Sequence, residues 1–465
     1  MEVGSLSKTD FDNTLLSAVL QGNVDLLEHH LSTVDSPEIY LNRLYDETDE
    51  QKCTLLMIAC LHGYDEIIHM LLHRFKLNLE IANDICLDEI NSTKQMYLEV
   101  SVLWAVAAIG NFPLVRLFVE HGANINYRTK TKSTPLRCLC RYGNLEMIRY
   151  FVEQGADVHA RNDKNETNLM VSVSYNQLNV VTYLVDELYC DVNTTDDDGR
   201  SPLYDAVYCQ SHEIFEFLLQ HGARNFRANV DQMSPLMWAA EKRLIHFLDT
   251  ISPHCLMLEQ IESRELLGSA FVYAPNGTHD FEQALQCFSQ AIQLRLIHSL
   301  LKVQRTNDME IFNDRQECQT LEDLEIIRTN PDLIYTEALL IRERLLGPAD
   351  KRYRASLTYR GAFLADSGQH HQALMIWMYE LRLCQQYSIA FDSIQVREIV
   401  SLISEMLCKS IVISIDSILT LLVWISEELE RNREEFVENF WTLFYLISII
   451  PQVRINDLST SSLYL

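Results

Sequence analysis

The stretch TPLRCLCRYGNLEMIRYFVEQGADVH, residues 134–159, holds two short helical patterns joined by a turn. Thr134 precedes Pro135 and Leu136, which is typical of a helix start, because a hydroxyl caps the first free amides and proline fits the first helical turn. Gly155 follows the second apolar pattern, where a left-handed residue commonly ends a helix. The stretch therefore predicts one helix–turn–helix unit.

The same unit recurs through the first half of the chain. A Ser/Thr-x-Leu start is followed about ten positions later by glycine or a small polar residue, and then by a second helical pattern. Successive starts are 47, 33, 33, 34 and 33 residues apart, which is the period of ankyrin repeats with one insertion. The starts are Thr54, Ser101, Thr134, Thr167, Ser201 and Ser234.

An ankyrin repeat domain is therefore predicted for residues 1–252. With a less regular pattern from Thr14 to Leu31 we count seven units, of which the first and last are irregular, and the sequence after Ala240 leaves no room for a full helix pair. The insertion at about 75–100 is predicted as a long irregular loop. Its acidic residues are interpreted either as a wall that attracts a cationic ligand or as solvated surface; they are Glu80, Asp84, Asp88, Glu89 and Glu99.

Residues 253–450 change to a different helical pattern. Gly361, Ala373 and Trp377 stand at the 12- and 4-residue spacings of a tetratricopeptide repeat, in which small residues allow close helix packing and an aromatic residue fills the gap. A second unit with Gly268, Ala284 and Phe288 is stretched, because Gly268 and Ala284 are 16 residues apart rather than about 12. Apolar stripes predict three further helices, at about 394–412, 416–434 and 435–450, followed by a tail at 451–465. The predicted fold class is all-α, an ankyrin solenoid followed by a tetratricopeptide-like helical domain.

Composition and motifs narrow the class of protein. A formal charge of −27 repels phosphate backbones and anionic lipid, so neither nucleic acid nor membrane is expected as a partner. We find no nucleophile–base motif, phosphate loop or zinc spacing, so no catalytic residue, metal or cofactor is expected. The start MEVGSLSKTD has no apolar leader, which predicts a soluble, cytoplasmic protein, with the nucleus open as a second location.

Large polar and aromatic side chains gather on the third and fourth units. A helix beginning at residue 134 places Ser133, Arg137 and Arg141 on one face, because residues three or four apart are neighbours. Tyr142 stands beside this face, and Trp104 occupies a similar place in the preceding unit. Such side chains are hard to explain by packing between repeats, so they are candidate peptide-binding residues on the concave surface of the array.

A second interpretation of these residues stays open. Arg137 could pair with an acidic neighbour such as Glu99, and Trp104 could pack between repeats. Both roles would be structural.

Taken in order, several segments of the chain resemble the fem family, the nematode feminization proteins and their animal homologues. The resemblance implies a substrate receptor of Cullin-RING ubiquitin ligases, which reads the extreme C-terminus of target proteins, typically ending in or near arginine, on the ankyrin surface. The segments that carry it are LWAVAAIG from 103, NYRTKTKSTPLRCLCRYGNLEMIRYFVE from 126, TNLMVSVS from 167, IESRELLGSAF from 261, TLEDLEIIRTNPDLIYTEALLIRERLLG from 320 and YRGAFLADSGQ from 359.

Three residues match the peptide pocket of the family. They are Trp104, Ser133 and Arg137, and the resemblance implies that Arg137 holds the terminal carboxylate of the bound tail. A guanidinium suits this role because it can donate two parallel hydrogen bonds to a carboxylate.

Other pocket positions depart from the family. Arg141 and Tyr142 stand where the family has Phe-Asp, and Thr93 stands at a second acidic position. The carboxylates that would hold a ligand arginine are thus absent, and Arg141 adds repulsion, so a C-terminal arginine should be disfavoured by about 1–3 kcal/mol. We therefore expect a shifted preference for the last residue of the tail.

The link to a ligase is the second departure. The family carries an Elongin-binding box of the Leu-x-x-x-Cys type, whereas SLISEMLCKS has Leu402 and Cys408 six residues apart. The resemblance implies Elongin B/C and a Cullin as partners, beside the C-terminal tails of substrates, and leaves a homodimer open. The alternative is an ankyrin-repeat protein-binding scaffold without ligase linkage.

Overall fold

The computed structural model describes residues 8–48, 51–87, 96–224, 233–273, 278–302, 309–312 and 315–431, together with residue 447. Packing divides the chain into two compact units, Met1–Val230 (unit 1) and Asp231–Leu465 (unit 2).

In its described residues, unit 1 contains six helix pairs and one short extra helix, α3 (Glu38–Leu41). The first helices of the pairs are α1 (Lys8–Leu20), α4 (Leu55–His62), α6 (Val102–Ile109), α8 (Pro135–Tyr142), α10 (Asn168–Ser174) and α12 (Pro202–Tyr208). The second helices are α2 (Val24–Ser32), α5 (Asp65–Arg74), α7 (Phe112–Glu120), α9 (Leu145–Glu153), α11 (Leu178–Thr182) and α13 (His212–Gln220). A π-helical turn, Tyr183–Glu187, continues α11.

The predicted starts of the first helices are confirmed. In five successive units a Ser or Thr hydroxyl accepts a hydrogen bond from the backbone amide three residues later, at 3.2–3.4 Å. Each such cap stabilises its helix by about 1 kcal/mol. The capping residues are Thr54, Ser101, Thr134, Thr167 and Ser201.

The first helices end at left-handed residues, which turn the chain towards the second helix. Gly63, Gly110 and Gly143 hold φ angles of 70°, 83° and 78°, as glycine does at little cost. The equivalent residues in the next two units are Asn176 and Gln210, at 55° and 58°. A side chain at such a φ angle is strained.

The units stack through their first helices, which pack on one another in chain order. Phe118, Phe151 and Leu218 of the second helices are fully buried and fill the equivalent place in three units. Loop side chains also join neighbouring units, since the Asn126 side chain donates to the Gly155 carbonyl (3.0 Å) and accepts from the Asp157 amide (2.7 Å). Ankyrin-like stacking is thus built from one repeated set of contacts.

The insertion at 75–100 is not the irregular loop that we predicted. Its described residues include strands β3 (Asn83–Leu87) and β4 (Met96–Val100), which pair antiparallel with Asn83 opposite Val100. A smaller hairpin, β1 (Tyr45–Thr48) with β2 (Gln51–Cys53), precedes it. The Asn83 side chain is buried and accepts from the Thr54 amide at 2.7 Å, so the hairpin is fastened to the cap of α4.

Unit 2 begins with a complete helix pair, α14 (Pro235–Glu241) and α15 (Ile245–Ile251). The prediction that the seventh ankyrin unit lacks room for two helices is therefore wrong, because three residues suffice for the turn and Arg243 adopts the left-handed conformation there. The further helices are α16 (Met257–Val272), α17 (Phe281–His298), α18 (Leu321–Ile327), α19 (Pro331–Leu346), α20 (Lys351–Asp366), α21 (His370–Gln386), α22 (Ser393–Cys408) and α23 (Ile415–Arg431). Short 3-10 turns lie at Ser252–His254 and Met309–Phe312.

In two helix hairpins, α16–α17 and α20–α21, a glycine of the first helix lies against an aromatic ring of the second. A Cβ atom added to Gly268 would lie 2.5 Å from the Phe288 ring, and one added to Gly361 would lie 2.2 Å from Nε1 of Trp377. Only glycine permits so close an approach. The assignment of these hairpins to the tetratricopeptide class stays a prediction.

Buried ion pairs hold the middle of unit 2 together. Arg295 forms a two-point pair with Glu265 at 2.8 and 3.0 Å, and Arg344 donates to Glu265 at 2.7 Å and to Glu317 at 2.8 Å. Burial works to raise the pKa of Glu265, but Arg295, Arg344 and Lys302 together lower it to about 2. These ion pairs link α16, α17 and α19 to one another and to the segment before α18.

The last described helix confirms part of the C-terminal prediction. Ile418, Leu421 and Ile425 of α23 are buried, as expected of a core stripe. The predicted helix at 435–450 and the tail at 451–465 lie outside the described residues, apart from residue 447. The all-α fold class is confirmed. The boundary predicted at 252 stays a prediction, while packing groups α14 and α15 with unit 2.

No helix within the described ranges is both long and apolar enough to cross a bilayer.

Candidate peptide-binding site

Trp104 is the third residue of α6, and its side chain lies inside the repeat stack. Only 5% of the residue is exposed. Its backbone amide donates to the Ser101 hydroxyl of the helix cap. The indole Nε1 is buried and has no hydrogen-bond acceptor among the residues that the structure describes.

Arg137 holds the same position in α8, and its guanidinium is bound internally. Its side chain is 10% exposed, and Nη1 donates to the main-chain carbonyls of Glu166 (2.9 Å) and Thr167 (3.3 Å). Nη2 pairs with the Glu166 carboxylate. Burial lowers the pKa of Arg137, and the negative charge of Glu166 works against that shift. Glu99, the expected partner, pairs with Lys130 instead.

The Arg137–Glu166 pair belongs to a polar network across three units. Arg200 lies 3.8 Å from the Glu166 carboxylate and donates to Asp196 at 3.0 Å. Asp205 lies close by and is buried; its burial raises its pKa to about 7, against the pull of Arg200. These ion pairs and hydrogen bonds therefore link the N-terminal ends of α8, α10 and α12.

The expectation that Trp104 and Arg137 line an open surface is therefore wrong. Both residues are buried, as the second interpretation of the sequence predicted, but Arg137 pairs with Glu166 and not with Glu99. That they contact a peptide stays a prediction. A ligand carboxylate could reach Arg137 only by exchanging with Glu166.

The other three predicted residues are more accessible. Ser133 is half-buried, and its backbone exchanges hydrogen bonds with Thr129 just before α8 begins. Arg141 and Tyr142 lie at the opposite end of α8, about 12 Å away for an eight-residue helix. The structure thus brings Arg141 and Tyr142 together and separates them from Ser133.

Arg141 stacks on aromatic rings of two units. Its Cζ lies 4.6 Å from the centroid of the Tyr175 ring and 5.9 Å from that of Tyr142. Both tyrosines are exposed. A cation over an exposed ring is favourable by about 0.5–1 kcal/mol, which holds the guanidinium at the surface between α8 and α10.

These residues belong to a larger feature that sequence reasoning missed. Within one residue of its C-terminal end, each first helix of unit 1 carries one exposed large apolar or aromatic residue. We call this set the first-helix stripe: Leu20, Leu61, Ile109, Tyr142, Tyr175 and Tyr208.

The signal was present in the sequence. Tyr142, Tyr175 and Tyr208 are 33 residues apart, which is the repeat period. Equivalent residues of stacked helices are neighbours, and a row of exposed apolar residues on a folded protein commonly marks an interaction site.

Comparisons with known proteins agree with this architecture. A family model described as "Ankyrin repeats (3 copies)" matches residues 102–196 and 185–252. The chain is 35% identical to the Protein fem-1 homolog CG6966 of Drosophila melanogaster over 339 residues, which is 72% of this chain and 49% of that protein. It is 34% identical to the Protein fem-1 homolog C of Danio rerio over 160 residues, 33% of this chain and 25% of that protein.

The human Protein fem-1 homolog C is 29% identical over 178 residues, 37% of this chain and 28% of that protein. The chain thus spans between a quarter and about half of the length of these relatives. The matches support a role in protein interaction that is built on repeats. The chain belongs to the fem family of ankyrin-repeat proteins.

Proposed function

We propose that this protein captures the C-terminal tails of other proteins on unit 1 and serves as the substrate-recognition subunit of a Cullin-RING ubiquitin ligase. The observation that supports this most is the first-helix stripe with Arg141 stacked in it. A row of exposed rings offers apolar contact to a peptide, and a guanidinium offers a partner to a carboxylate.

The charges of the site favour some tails over others. Arg141 and Tyr142 stand where the family has Phe-Asp, so a tail ending in arginine finds no carboxylate at Tyr142 and meets the like charge of Arg141. Arg137 contributes no net charge to the site, because its guanidinium is paired with the Glu166 carboxylate. We therefore propose that this protein prefers tails whose last residue is acidic or apolar over tails that end in arginine.

Tail recognition is tested with pairs of peptides that differ only in the C-terminal group. Fluorescence anisotropy of labelled octapeptides on the full chain should show binding for the free carboxylate and much weaker binding for the amide. A matched series ending in Arg, Leu or Glu should place Arg below Leu. Equal binding of acids and amides would contradict tail recognition, and a clear preference for Arg would contradict the proposed shift alone.

The ligase assignment needs its own test, because the relatives are much longer than this chain. Co-expression with Elongin B, Elongin C and a Cullin, followed by affinity purification of the chain, should recover all three proteins. Recovery of tails without them would favour the alternative, a binding scaffold without ligase linkage. A place of action in the cytoplasm or nucleus is part of the same proposal.

A further inference from the structure

We infer that Asp205 makes the joint between α10 and α12 a pH-sensitive switch of unit 1. The joint is the direct packing of these two first helices, and Asp205 lies on α12. The joint is tight while the carboxyl group of Asp205 is neutral, and it opens more often once this group has lost its proton to solvent. The inference concerns the repeat stack itself and does not rest on the proposed function.

Asp205 occupies a core position of the ankyrin repeat. It follows the capping Ser201 by four residues, and it is buried, with 8% of its surface exposed. The residues at this position in the three preceding units are also buried, but they are small or apolar: Ala105, Cys138 and Val171. A carboxyl group therefore stands where the repeat places apolar packing, which costs stability unless the group is hydrogen-bonded or neutral.

Arg200, the arginine that acts on Asp205, is bound to other carboxylates. These are Asp196 at 3.0 Å, Asp198 at 3.2 Å and Glu166 at 3.8 Å. Within the ranges that the structure describes, no cation pairs with Asp205 itself, which is hydrogen-bonded to the Ser174 hydroxyl of α10. Cys209, at the end of α12, is a neutral thiol, because burial raises its pKa to about 11. A buried carboxyl group without a cation beside it is more stable neutral than ionised.

The charges on the neighbouring helices offer no compensation for an ionised Asp205. Arg137 of α8 pairs with Glu166, so two arginines already serve three carboxylates in the network. On α13, the helix that follows α12, His212 and Glu216 pair with each other at 3.1 Å. Loss of the Asp205 proton therefore raises the excess of negative charge among these paired groups from one to two. Like charges repel most strongly where water is excluded.

The pKa of Asp205 places this change close to neutral pH. Burial raises the pKa to about 7, and Arg200 works against that shift. An aspartate in an unfolded chain has a pKa of about 3.9, so the folded joint favours the neutral form. The contribution of this carboxyl group to stability is therefore full below about pH 4 and is lost as pH rises through 7. Between pH 6 and pH 8, the equilibrium constant for opening of the joint should rise about tenfold.

Amide hydrogen exchange of the full chain tests the switch, with mass spectrometry of the peptides that contain α10 and α12 at pH 6 and pH 8. The measurement is made where exchange reports the opening equilibrium, and it is corrected for the intrinsic pH dependence of exchange. Protection of the wild type should fall about tenfold from pH 6 to pH 8. Asp205→Asn keeps the shape and removes the charge, so its protection should be equal at the two pH values. Asp205→Ala, which introduces the residue found at Ala105, should behave in the same way.

Glu213→Gln serves as the matched control, because Glu213 is an exposed carboxylate on α13 of the same unit. This variant should keep the tenfold fall of the wild type. Wild-type protection that is equal at pH 6 and pH 8 would overturn the switch. A fall that persists in both Asp205→Asn and Asp205→Ala would overturn it too, because another group would then be responsible. Far-UV circular dichroism confirms that each variant is folded.

Discussion

Replacing each of the two arginines of α8 in turn should separate an effect on the stability of unit 1 from an effect on peptide binding. Replacing Arg137 by Met keeps most of the apolar stem and removes three hydrogen bonds, to the Glu166 and Thr167 carbonyls and to the Glu166 carboxylate. Each such bond contributes about 0.5–1.5 kcal/mol net. The two carbonyls keep a second donor within the backbone, from the Asn162 and Val171 amides, so we expect a loss of about 2–3 kcal/mol rather than the upper sum.

Arg141→Met is the matched comparison. Arg141 is half-buried, and its stacking on Tyr175 contributes about 0.5–1 kcal/mol at an exposed site. Its loss should lower the melting temperature by no more than a few degrees, against about 4–12 °C for Arg137→Met, taking 2–4 °C per kcal/mol for a domain of this size. Tail binding should respond in the opposite order.

The assay is thermal and urea unfolding of the full chain, with Glu166→Gln added to complete a double-mutant cycle. We expect a coupling of about 1–2 kcal/mol between residues 137 and 166, since contacting charged residues are not additive. The reasoning is refuted if Arg137→Met melts like the wild type and loses tail binding. That result would make Arg137, and not Arg141, the ligand of the carboxylate.

Three further predictions concern stability. Burial raises the pKa of Glu380 to about 8. The contribution of this carboxyl group to stability is therefore full below the unfolded pKa near 4.5 and is lost as pH rises through 8. Glu380→Gln should stabilise unit 2 by roughly 1–3 kcal/mol in urea titrations at pH 8 and not at pH 4. Gln210→Gly should raise the melting temperature by about 2–4 °C, because it relieves a φ angle of 58°; an unchanged or lower value would contradict the strain. Gly361→Ala should cost about 1–3 kcal/mol in urea unfolding, since its Cβ would lie 2.2 Å from Nε1 of Trp377, and a neutral result would show that the hairpin can open there.

The repeat fold was predictable because its signals are local. A hydroxyl at Thr134, proline after it and glycine at 143 and 155 decide where helices begin and end, and these signals recur every 33 residues. The hairpin β3–β4 was missed because its strands lie across an insertion without a repeat to compare. The second helix of the seventh unit was missed because no glycine marks the turn, where Arg243 takes the left-handed conformation.

The candidate site was predictable only in part. Helical spacing grouped Arg137 with Arg141, but the environment of each depends on a residue of the next unit. Arg137 pairs with Glu166, 29 positions later, and Arg141 stacks on Tyr175, 34 positions later. No pattern within α8 distinguishes the buried arginine from the stacked one. The first-helix stripe could have been read from the sequence, because Tyr142, Tyr175 and Tyr208 keep the repeat period.

The location of the bound tail is the most direct test of this account. A binding octapeptide with a benzophenone side chain three residues before its free carboxylate is irradiated on the full chain, and the labelled residues are mapped by mass spectrometry. We predict labelling within the first-helix stripe of unit 1, at or next to Tyr142, Tyr175 or Tyr208. Labelling confined to the second helices of unit 1, or to unit 2, would contradict the central claim.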